Sequence, residues 1–242
     1  FILIKLKKKF KLMNFSKPIL IVAGEPNSIF LEIFFKSLKK ITIKNPLILI
    51  ASHKLLILQM KKLKFNKKIN IIKIENILKQ KLNNKSINLV HVDYQTNNAF
   101  EKSSNKSQRY INKCFELAFK IIKKNNIKKF INGPINKKHF LDKNYLGITE
   151  FISEKFKIKK NAMLIYNKEL SVCPLTTHLP IKSVAKKINK KSIIEKVMLI
   201  NNFYKIKFKK VPKIAILGLN PHCESIDKFN EDQRIIAPAI VS

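Results

Sequence analysis

Short apolar runs alternate with helical patterns along the chain, and this alternation constrains the fold more than any other sequence feature. The runs are rich in Ile, Leu and Val; they cover Ile19–Val22, Leu47–Ala51, Ile69–Ile74, Ile87–Val92, Lys129–Asn132, Met163–Tyr166, Leu170–Leu175 and Lys213–Leu219. Apolar residues recur at helical spacing in Phe30–Lys40, Ser107–Asn125 and Lys191–Phe208. Strands that alternate with helices are typical of α/β folds. We therefore predict an α/β fold with a mainly parallel sheet.

The large positive charge of the chain raises the question of a nucleic-acid partner. The 242 residues include 50 Lys and Arg against 15 Asp and Glu, which gives a formal net charge of +35. All of these basic residues except Arg109 and Arg234 are lysines, and Trp is absent. Nucleic-acid surfaces rely on bidentate arginines and on stacking aromatic rings. We expect no nucleic-acid partner, and a basic nucleic-acid-binding protein stays as the less favoured alternative.

The cysteines and the apolar runs also bear on the compartment. Cys114, Cys173 and Cys223 are odd in number and widely spaced, which argues against a disulfide framework and favours a reducing cytoplasm. No apolar run approaches the roughly 18–20 residues of a membrane span, so we expect no membrane association. An apolar strand follows soon after Met13, and we expect residues 1–12 to be a non-native extension.

Two histidines follow predicted strands and are candidate metal ligands. His178 lies in the segment TTHLP after one apolar run, and His222 lies in GLNPH after another. Functional groups of α/β proteins gather where strands end, and two neutral imidazoles there could share one divalent cation. Isolated histidines are more often loop or packing residues, so on spacing alone both interpretations stay open.

Three other turns carry weaker signals. Gly24–Pro26 follows the first predicted strand and is consistent with an anion-binding turn, although it lacks a complete glycine-rich motif. Lys137 follows Gly133–Pro134, where it would contact a phosphate or simply be one more surface lysine. Thr149 precedes an apolar helical stretch and is a candidate N-cap, a role that requires no ligand.

Taken together, these segments resemble the 4-hydroxythreonine-4-phosphate dehydrogenase family of pyridoxal phosphate biosynthesis. The resemblance extends from about residue 17 to the last residue, but members of that family continue further, so we expect a C-terminally truncated member. The matching segments are GEP at 24–26 with Glu32, NGPINK at 132–137, GITE at 147–150, TTHLP at 176–180 and GLNPH at 218–222, with Glu224 and IIAP at 235–238.

The resemblance implies a two-lobed architecture like that of isocitrate and isopropylmalate dehydrogenases. The first α/β lobe is expected over residues 13–130, and in the family a C-terminal segment completes it. The second α/β lobe, which carries the metal-binding loops, is expected over residues 131–242. Family members are homodimers with the active site at the subunit interface, so a homodimer is expected here.

The resemblance further implies an oxidoreductase that uses NAD or NADP together with a divalent metal such as zinc, cobalt or magnesium. It would oxidise and decarboxylate 4-phosphooxy-threonine to 3-amino-2-oxopropyl phosphate in vitamin B6 biosynthesis. His178 and His222 correspond to two of the three metal ligands of the family. Thr149 and Lys137 are the expected substrate-binding residues. No residue is assigned to catalysis or to cofactor binding.

Three positions depart from the family pattern and leave an alternative open. Ile148 replaces a histidine that contacts substrate in the family, and an isoleucine can neither titrate nor donate a hydrogen bond through its side chain. Ser28 and Phe30 stand where family members carry glycine. The alternative interpretation is therefore a catalytically impaired fragment or pseudoenzyme of the same family.

Overall fold

The structure is a computed structural model that describes residues 16–78, 82–136, 145, 147–224, 226 and 229–242. The chain divides into two units, residues 1–142 and residues 143–242. Within the described ranges, no helix is both long enough and apolar enough to cross a membrane.

The first unit is built on a parallel five-stranded sheet. Its strands are β1 (Ile19–Val22), β2 (Leu47–Ala51), β3 (Ile69–Ile71), β4 (Ile87–His91) and β5 (Phe130–Asn132), in the spatial order β3-β4-β2-β1-β5. Each neighbouring pair is parallel, with Ile19 opposite Leu47 and Leu20 opposite Phe130. The helices of this unit are α1 (Phe30–Lys40), α2 (His53–Lys62) and α3 (Asn105–Asn125). The predicted α/β fold and parallel sheet are confirmed.

The sheet is covered on both faces, which explains why its central strands are continuously apolar. Every residue of β2 is buried. Leu47, Leu49 and Ala51 belong to one apolar cluster with residues of α1 and α2. Since neighbouring side chains in a strand point to opposite faces, Ile48 and Ile50 lie on the other side, where α3 packs against β1 and β2. A strand with alternating apolar and polar residues would place its polar side chains against one of the two helix layers.

Helix α3 is the longest element of the first unit and is capped at both ends. Ser104 and Ser107 form a reciprocal capping box, in which each side chain accepts a hydrogen bond from the other residue's backbone N–H. Asn126 ends the helix with a left-handed backbone, at φ 49°. The helix begins two residues before the predicted Ser107 because the capping box, rather than the first apolar residue, fixes its start.

The second unit consists mainly of helices and loops among its described residues. The α-helices are α4 (Ile148–Lys155), α5 (Val184–Lys187), α6 (Lys190–Phe208) and α7 (Ala237–Ile240). A π-helical segment at Asp232–Ile236 precedes α7. A small buried cluster of Ile188, Ile193, Ile236 and Ala239 joins α5, α6 and α7.

Several predicted strands are shorter in the structure or are not formed. The predicted strand Ile69–Ile74 ends at Ile71, and Ile87–Val92 ends at His91. The predicted pair around Asn167 is reduced to a single antiparallel bridge between Ile165 and Val172. The strands of the first unit therefore occur in the predicted order, but several of them begin or end at residues other than those predicted.

The prediction of a buried strand at Lys213–Leu219 is wrong. The segment forms no strand, and the side chain of Leu217 is 84% exposed. A continuous apolar run becomes a buried strand only where neighbouring strands pair with it, and none does so among the described residues. Ile216 and Leu219 instead pack against the small cluster of the second unit.

The predicted boundary between lobes, after residue 130, falls inside β5. This strand pairs with β1, and the backbone N–H of Gly133 donates to the carbonyl of Val22. The structure therefore keeps residues 131–136 with the first unit and divides the chain after residue 142. The assignment of residues 13–130 and 131–242 to two functional lobes stays a prediction.

The packing of the sheet makes one substitution especially informative. Leu89 lies in β4 with no exposed surface, so Leu89→Ala should lower the free energy of unfolding by about 2–5 kcal/mol through lost burial and a residual cavity. Ile71, in the edge strand β3, is 58% exposed, and Ile71→Ala should change it by less than about 1 kcal/mol. Urea unfolding monitored by circular dichroism measures both; equal losses would contradict this account of the core.

Candidate active site

In the first unit, the loops after β1 and β5 meet at the carboxyl-terminal edge of the sheet. Strand β1 has β2 on one side and β5 on the other. The order in which strands are added to the sheet therefore reverses at β1, and ligand sites of α/β proteins often lie at such a point. Gly24 has a left-handed backbone at φ 77°. A side chain on Gly24 would collide with the carbonyl of Pro134, and one on Gly133 with the carbonyl of Ala23. Both glycines are required by this close approach.

Glu25 connects the two loops with the start of α3. Its backbone N–H donates to the carbonyl of Pro134 at 2.9 Å, and its Oε1 accepts from the backbone N–H of Asn136 at 3.2 Å. Its Oε2 accepts from the hydroxyl of Ser107 at 3.5 Å. The GEP segment therefore holds neighbouring loops in place, a role that the sequence analysis did not assign to it.

Two carboxylates, those of Glu25 and Glu101, lie near Tyr94 at this edge of the sheet. The buried Tyr94 hydroxyl donates to Oε2 of Glu101 at 2.7 Å. Burial, followed by this hydrogen bond and the charges of Glu101 and Glu25, raises the pKa of Tyr94 well above its ordinary value. The Tyr94 hydrogen bond is in turn the main cause that lowers the pKa of Glu101. Lys106 Nζ lies 3.4 Å from Oε1 of Glu101, so a cation partly balances the carboxylates near the turn at Gly24–Pro26.

The sequence also singled out Phe30 and Lys137, and of these two only Phe30 lies among the described residues. The Phe30 ring lies against Gly133, where a methyl group would come within 2.8 Å of its Cγ. Phe30 thus occupies space beside the loop. Lys137, predicted to bind substrate, lies outside the described residues.

In the second unit, His178 lies beside the first turn of α4. A methyl group on Gly147 would lie 3.2 Å from Nε2 of His178 and 2.9 Å from Oε2 of Glu150. The hydroxyl of Thr177 donates to Oε1 of Glu150 at 3.4 Å. The structure therefore brings the TTHLP and GITE segments together. Sequence reasoning assigned no role to Glu150, although acidic residues are scarce in this chain.

The prediction that Thr149 is the N-cap of this helix is wrong. Helix α4 begins at Ile148, which makes Gly147 the N-cap and Thr149 the second helical residue. Both Ile148 and Thr149 are half-buried. An N-cap needs an extended backbone, and Gly147 supplies it at φ −167°. Thr149 thus lies in the turn that contacts His178, and its side chain has no capping role.

His222 lies in a loop that Asp232 holds in place. Oδ1 of Asp232 accepts from the backbone N–H of Leu219 at 2.7 Å, and Oδ2 accepts from the backbone and side-chain amides of Asn220 at 3.1 and 3.0 Å. Burial acts to raise the pKa of Asp232, but these hydrogen bonds outweigh it and lower the pKa. A methyl group on Gly218 would lie 2.6 Å from Sγ of Cys223 and 3.0 Å from Oδ1 of Asp232, so a side chain here would make one of these groups shift.

His178 and His222 share an unusual backbone conformation. Both are left-handed, at φ 57° and 56°. Among the described non-glycine residues with positive φ, four follow or terminate helices, namely Lys64, Asn126, Lys157 and Lys209. The two histidines and Cys223 do not lie at the end of an α-helix. Sparsely populated backbone conformations of this kind are concentrated at functional sites.

The donor chemistry of these loops fits a divalent metal in part. Both imidazoles are on exposed residues, and imidazole nitrogen is a ligand for zinc, cobalt and related ions. A buried, unpaired carboxylate oxygen of Glu150 lies beside one of them. In the parts of the chain that the structure describes, no group of three or more His, Cys, Asp and Glu side chains converges on one point. His178 and His222 therefore offer one imidazole donor in each of two loops, fewer than the three protein ligands that a catalytic metal site usually has.

The sequence is similar to one family over most of its length. Residues 42–242 match the family described as pyridoxal phosphate biosynthetic protein PdxA. The 4-hydroxythreonine-4-phosphate dehydrogenase of Sulfurihydrogenibium sp. (strain YO3AOP1) is 35% identical over 226 residues, covering 91% of this chain and 68% of that protein. The enzyme of the same name from Aquifex aeolicus (strain VF5) is 38% identical over 120 residues, covering 48% of this chain and 37% of that protein.

Solved structures agree with this similarity at the level of the fold. A 4-hydroxythreonine-4-phosphate dehydrogenase from Klebsiella pneumoniae superposes with a TM-score of 0.77 at 22% identity, covering 93% of this chain and 71% of that one. The corresponding structure from Burkholderia phymatum gives a TM-score of 0.75 at 20% identity, covering 94% of this chain and 71% of that one.

The hydrogen bonds of Asp232 lead to a pH-dependent prediction. Asp232→Asn should weaken the hold on the loop by about 1 kcal/mol at neutral pH, because the charge-assisted bonds are lost. Hydrogen exchange of the Leu219 and Asn220 amides should then be about fivefold faster than in the unsubstituted protein.

The sign of the pH effect follows from the lowered pKa of Asp232. The stabilisation is present above the ordinary carboxyl pKa of about 4 and is lost as the pH falls through the lower pKa of the folded state. The difference between the two proteins should therefore vanish in acid. Asp93→Asn, at an exposed aspartate, should leave both amides unchanged; a difference that persists in acid would contradict this assignment.

Proposed function

Because the chain belongs to the PdxA family of pyridoxal phosphate biosynthetic proteins, we propose that it oxidises and decarboxylates 4-phosphooxy-threonine to 3-amino-2-oxopropyl phosphate. The observation that carries the proposal is that His178 and His222, the two histidines of the matching segments, both occupy left-handed loop positions that helix capping does not explain. The activity would make the protein an oxidoreductase that supplies an amino-ketone phosphate to vitamin B6 synthesis.

His178 and His222 would hold a divalent ion, each through one ring nitrogen. When bound, such an ion supplies Lewis acidity to a substrate alcohol and to the charge left after loss of carbon dioxide, while NAD or NADP supplies the hydride acceptor. The contribution of the chain is preorganisation. Asp232 holds the backbone just before His222 through hydrogen bonds, and the first turn of α4 lies beside His178. Rigid loops hold ligands in place before the ion binds.

Thr149 and Lys137 are the proposed substrate contacts. Thr149 is supported by its place in the turn of α4 that lies beside His178. A hydroxyl there is a suitable hydrogen-bond partner for a substrate oxygen, and a lysine would pair with the phosphate. The neighbouring Ile148 supplies no such group, so binding would depend more heavily on the remaining contacts.

The assembly and the compartment are proposed on coarser grounds. A homodimer is proposed from the family resemblance. A reducing cytoplasm is supported by the cysteines, since Cys114, Cys173 and Cys223 are unpaired. Burial raises the pKa of the Cys114 thiol to about 12, which makes it a packing residue rather than a nucleophile.

A direct assay follows reduced-cofactor absorbance when the full chain is mixed with 4-phosphooxy-threonine, a divalent ion, and NAD or NADP. The unsubstituted chain should form reduced cofactor, and His178→Ala and His222→Ala should each lower kcat/KM by at least about a hundredfold, because a ligand is lost. His53→Ala, in the first unit, is the matched control and should retain activity. A chain that forms no reduced cofactor would support the alternative of an impaired family member.

A further inference from the structure

The sequence contains one Asn–Gly pair, and it lies at the end of strand β5. Of the four glycines in the chain, only Gly133 follows an asparagine. In such a pair the backbone nitrogen of the glycine can attack the side-chain amide carbon of the asparagine, because no Cβ atom on the glycine stands in the way. Asparagine is accordingly among the thermolabile residues of proteins. The pair is therefore a chemical liability unless the fold restrains it.

The reaction is a deamidation whose only co-reactant is water. A bond forms between the backbone nitrogen of Gly133 and Cγ of Asn132, the nitrogen gives its proton to solvent, and Nδ2 leaves as ammonia. Water then opens the resulting succinimide ring at either carbonyl, which produces aspartate or isoaspartate at position 132. The attack requires a backbone nitrogen that can lose its proton and an asparagine whose backbone can leave the extended conformation.

Hydrogen bonds in the folded chain oppose both requirements. The N–H of Gly133 donates to the carbonyl of Val22 at 2.8 Å. Asn132 is paired with Val22 in the parallel ladder between β1 and β5, which keeps its backbone extended. Nδ2 of Asn132 donates to the carbonyl of Gly133 at 3.1 Å, so the side-chain amide is also held in one orientation. Asn132 is half-buried and Gly133 is buried.

We propose that Asn132 is a deamidation site that the pairing of β5 with β1 keeps unreactive in the folded chain. Among the described strands, β5 lies at one edge of the sheet and pairs with β1 alone. Local opening of this edge frees both the N–H of Gly133 and the backbone of Asn132. The rate of deamidation therefore follows the population of the open edge.

The products do not fit the folded edge. Aspartate places a charge at a half-buried position, and isoaspartate lengthens the backbone path by one methylene, which disturbs the register that follows. Directly after this point, the carbonyl of Pro134 accepts from the backbone N–H of Glu25, and the N–H of Asn136 donates to the Glu25 carboxylate. Deamidation would separate the two loops that these bonds join, so that an opened edge could not close again.

Peptide mass spectrometry of the full chain measures the reaction directly. The chain is held at slightly alkaline pH in buffer and, in parallel, in urea at an unfolding concentration. Trypsin releases the peptide of residues 130–137, and fragment ions locate the conversion of amide to acid. Conversion at Asn132 should be at least about tenfold slower in buffer than in urea. Equal rates in the two conditions, or no conversion in urea, would overturn the proposal.

Two neighbouring residues of β5 provide matched variants that distinguish opening of the edge from other effects. The Phe130 ring contacts the rings of Phe115 and Phe119, whereas Ile131 is 47% exposed. Phe130→Ala should raise the rate of conversion in buffer at least about fivefold, and Ile131→Ala should change it less than about twofold. Equal effects of the two substitutions would contradict control by the edge. Asn132→Gln should abolish the signal, because glutamine would have to form a larger ring.

Circular dichroism shows whether both β5 variants remain folded. If Phe130→Ala does not fold, its rate in buffer should equal the rate of the unsubstituted chain in urea, and a slower rate would contradict the proposal. The comparison of buffer with urea in the unsubstituted chain depends on no variant.

Discussion

The burial of β2 on both faces is the constraint on which the first unit depends. A parallel strand with no exposed residue needs neighbouring strands on both edges and helices on both faces. β1 and β4 supply the edges, α1 and α2 cover one face, and α3 contacts the sheet from the other. Once these layers are fixed, the loops after β1 and β5 must emerge side by side, and the glycines at 24 and 133 allow their backbones to touch.

Most elements of the first unit are predictable from sequence because local pattern and burial agree there, but helix α2 (His53–Lys62) is not among the predicted elements. Phe30–Lys40 and Leu47–Ala51 have the predicted bounds, since the periodicity of their apolar residues matches the surfaces they bury. Lys213–Leu219 shows the limit of such reasoning. Its apolar run has the composition of a buried strand, but a strand also requires hydrogen-bonding neighbours, and these depend on distant parts of the chain.

The candidate ligands can be singled out from the sequence, whereas the residues that hold their loops cannot. His178 and His222 are recognisable because each lies in a short segment after an apolar run. Asp232 and Glu150 act through contacts that no spacing rule encodes. The Asp232 carboxylate accepts from backbone amides 12 and 13 positions earlier, and the Glu150 carboxylate accepts from the hydroxyl of Thr177 in a later loop. The scarcity of acidic residues in a chain of charge +35 is the signal that could have drawn attention to both. That charge otherwise reflects lysines spread along the chain, with no arginine-rich cluster.

We propose that the loops of His178 and His222 serve one divalent ion. Anomalous X-ray diffraction from crystals of the full chain grown with Co²⁺ tests it most directly, because the anomalous signal locates the ion independently of the protein coordinates. We expect a single site about 2.1 Å from one imidazole nitrogen of each histidine. Ions bound to the two histidines at separate sites, or an ion bound to neither of them, would contradict it.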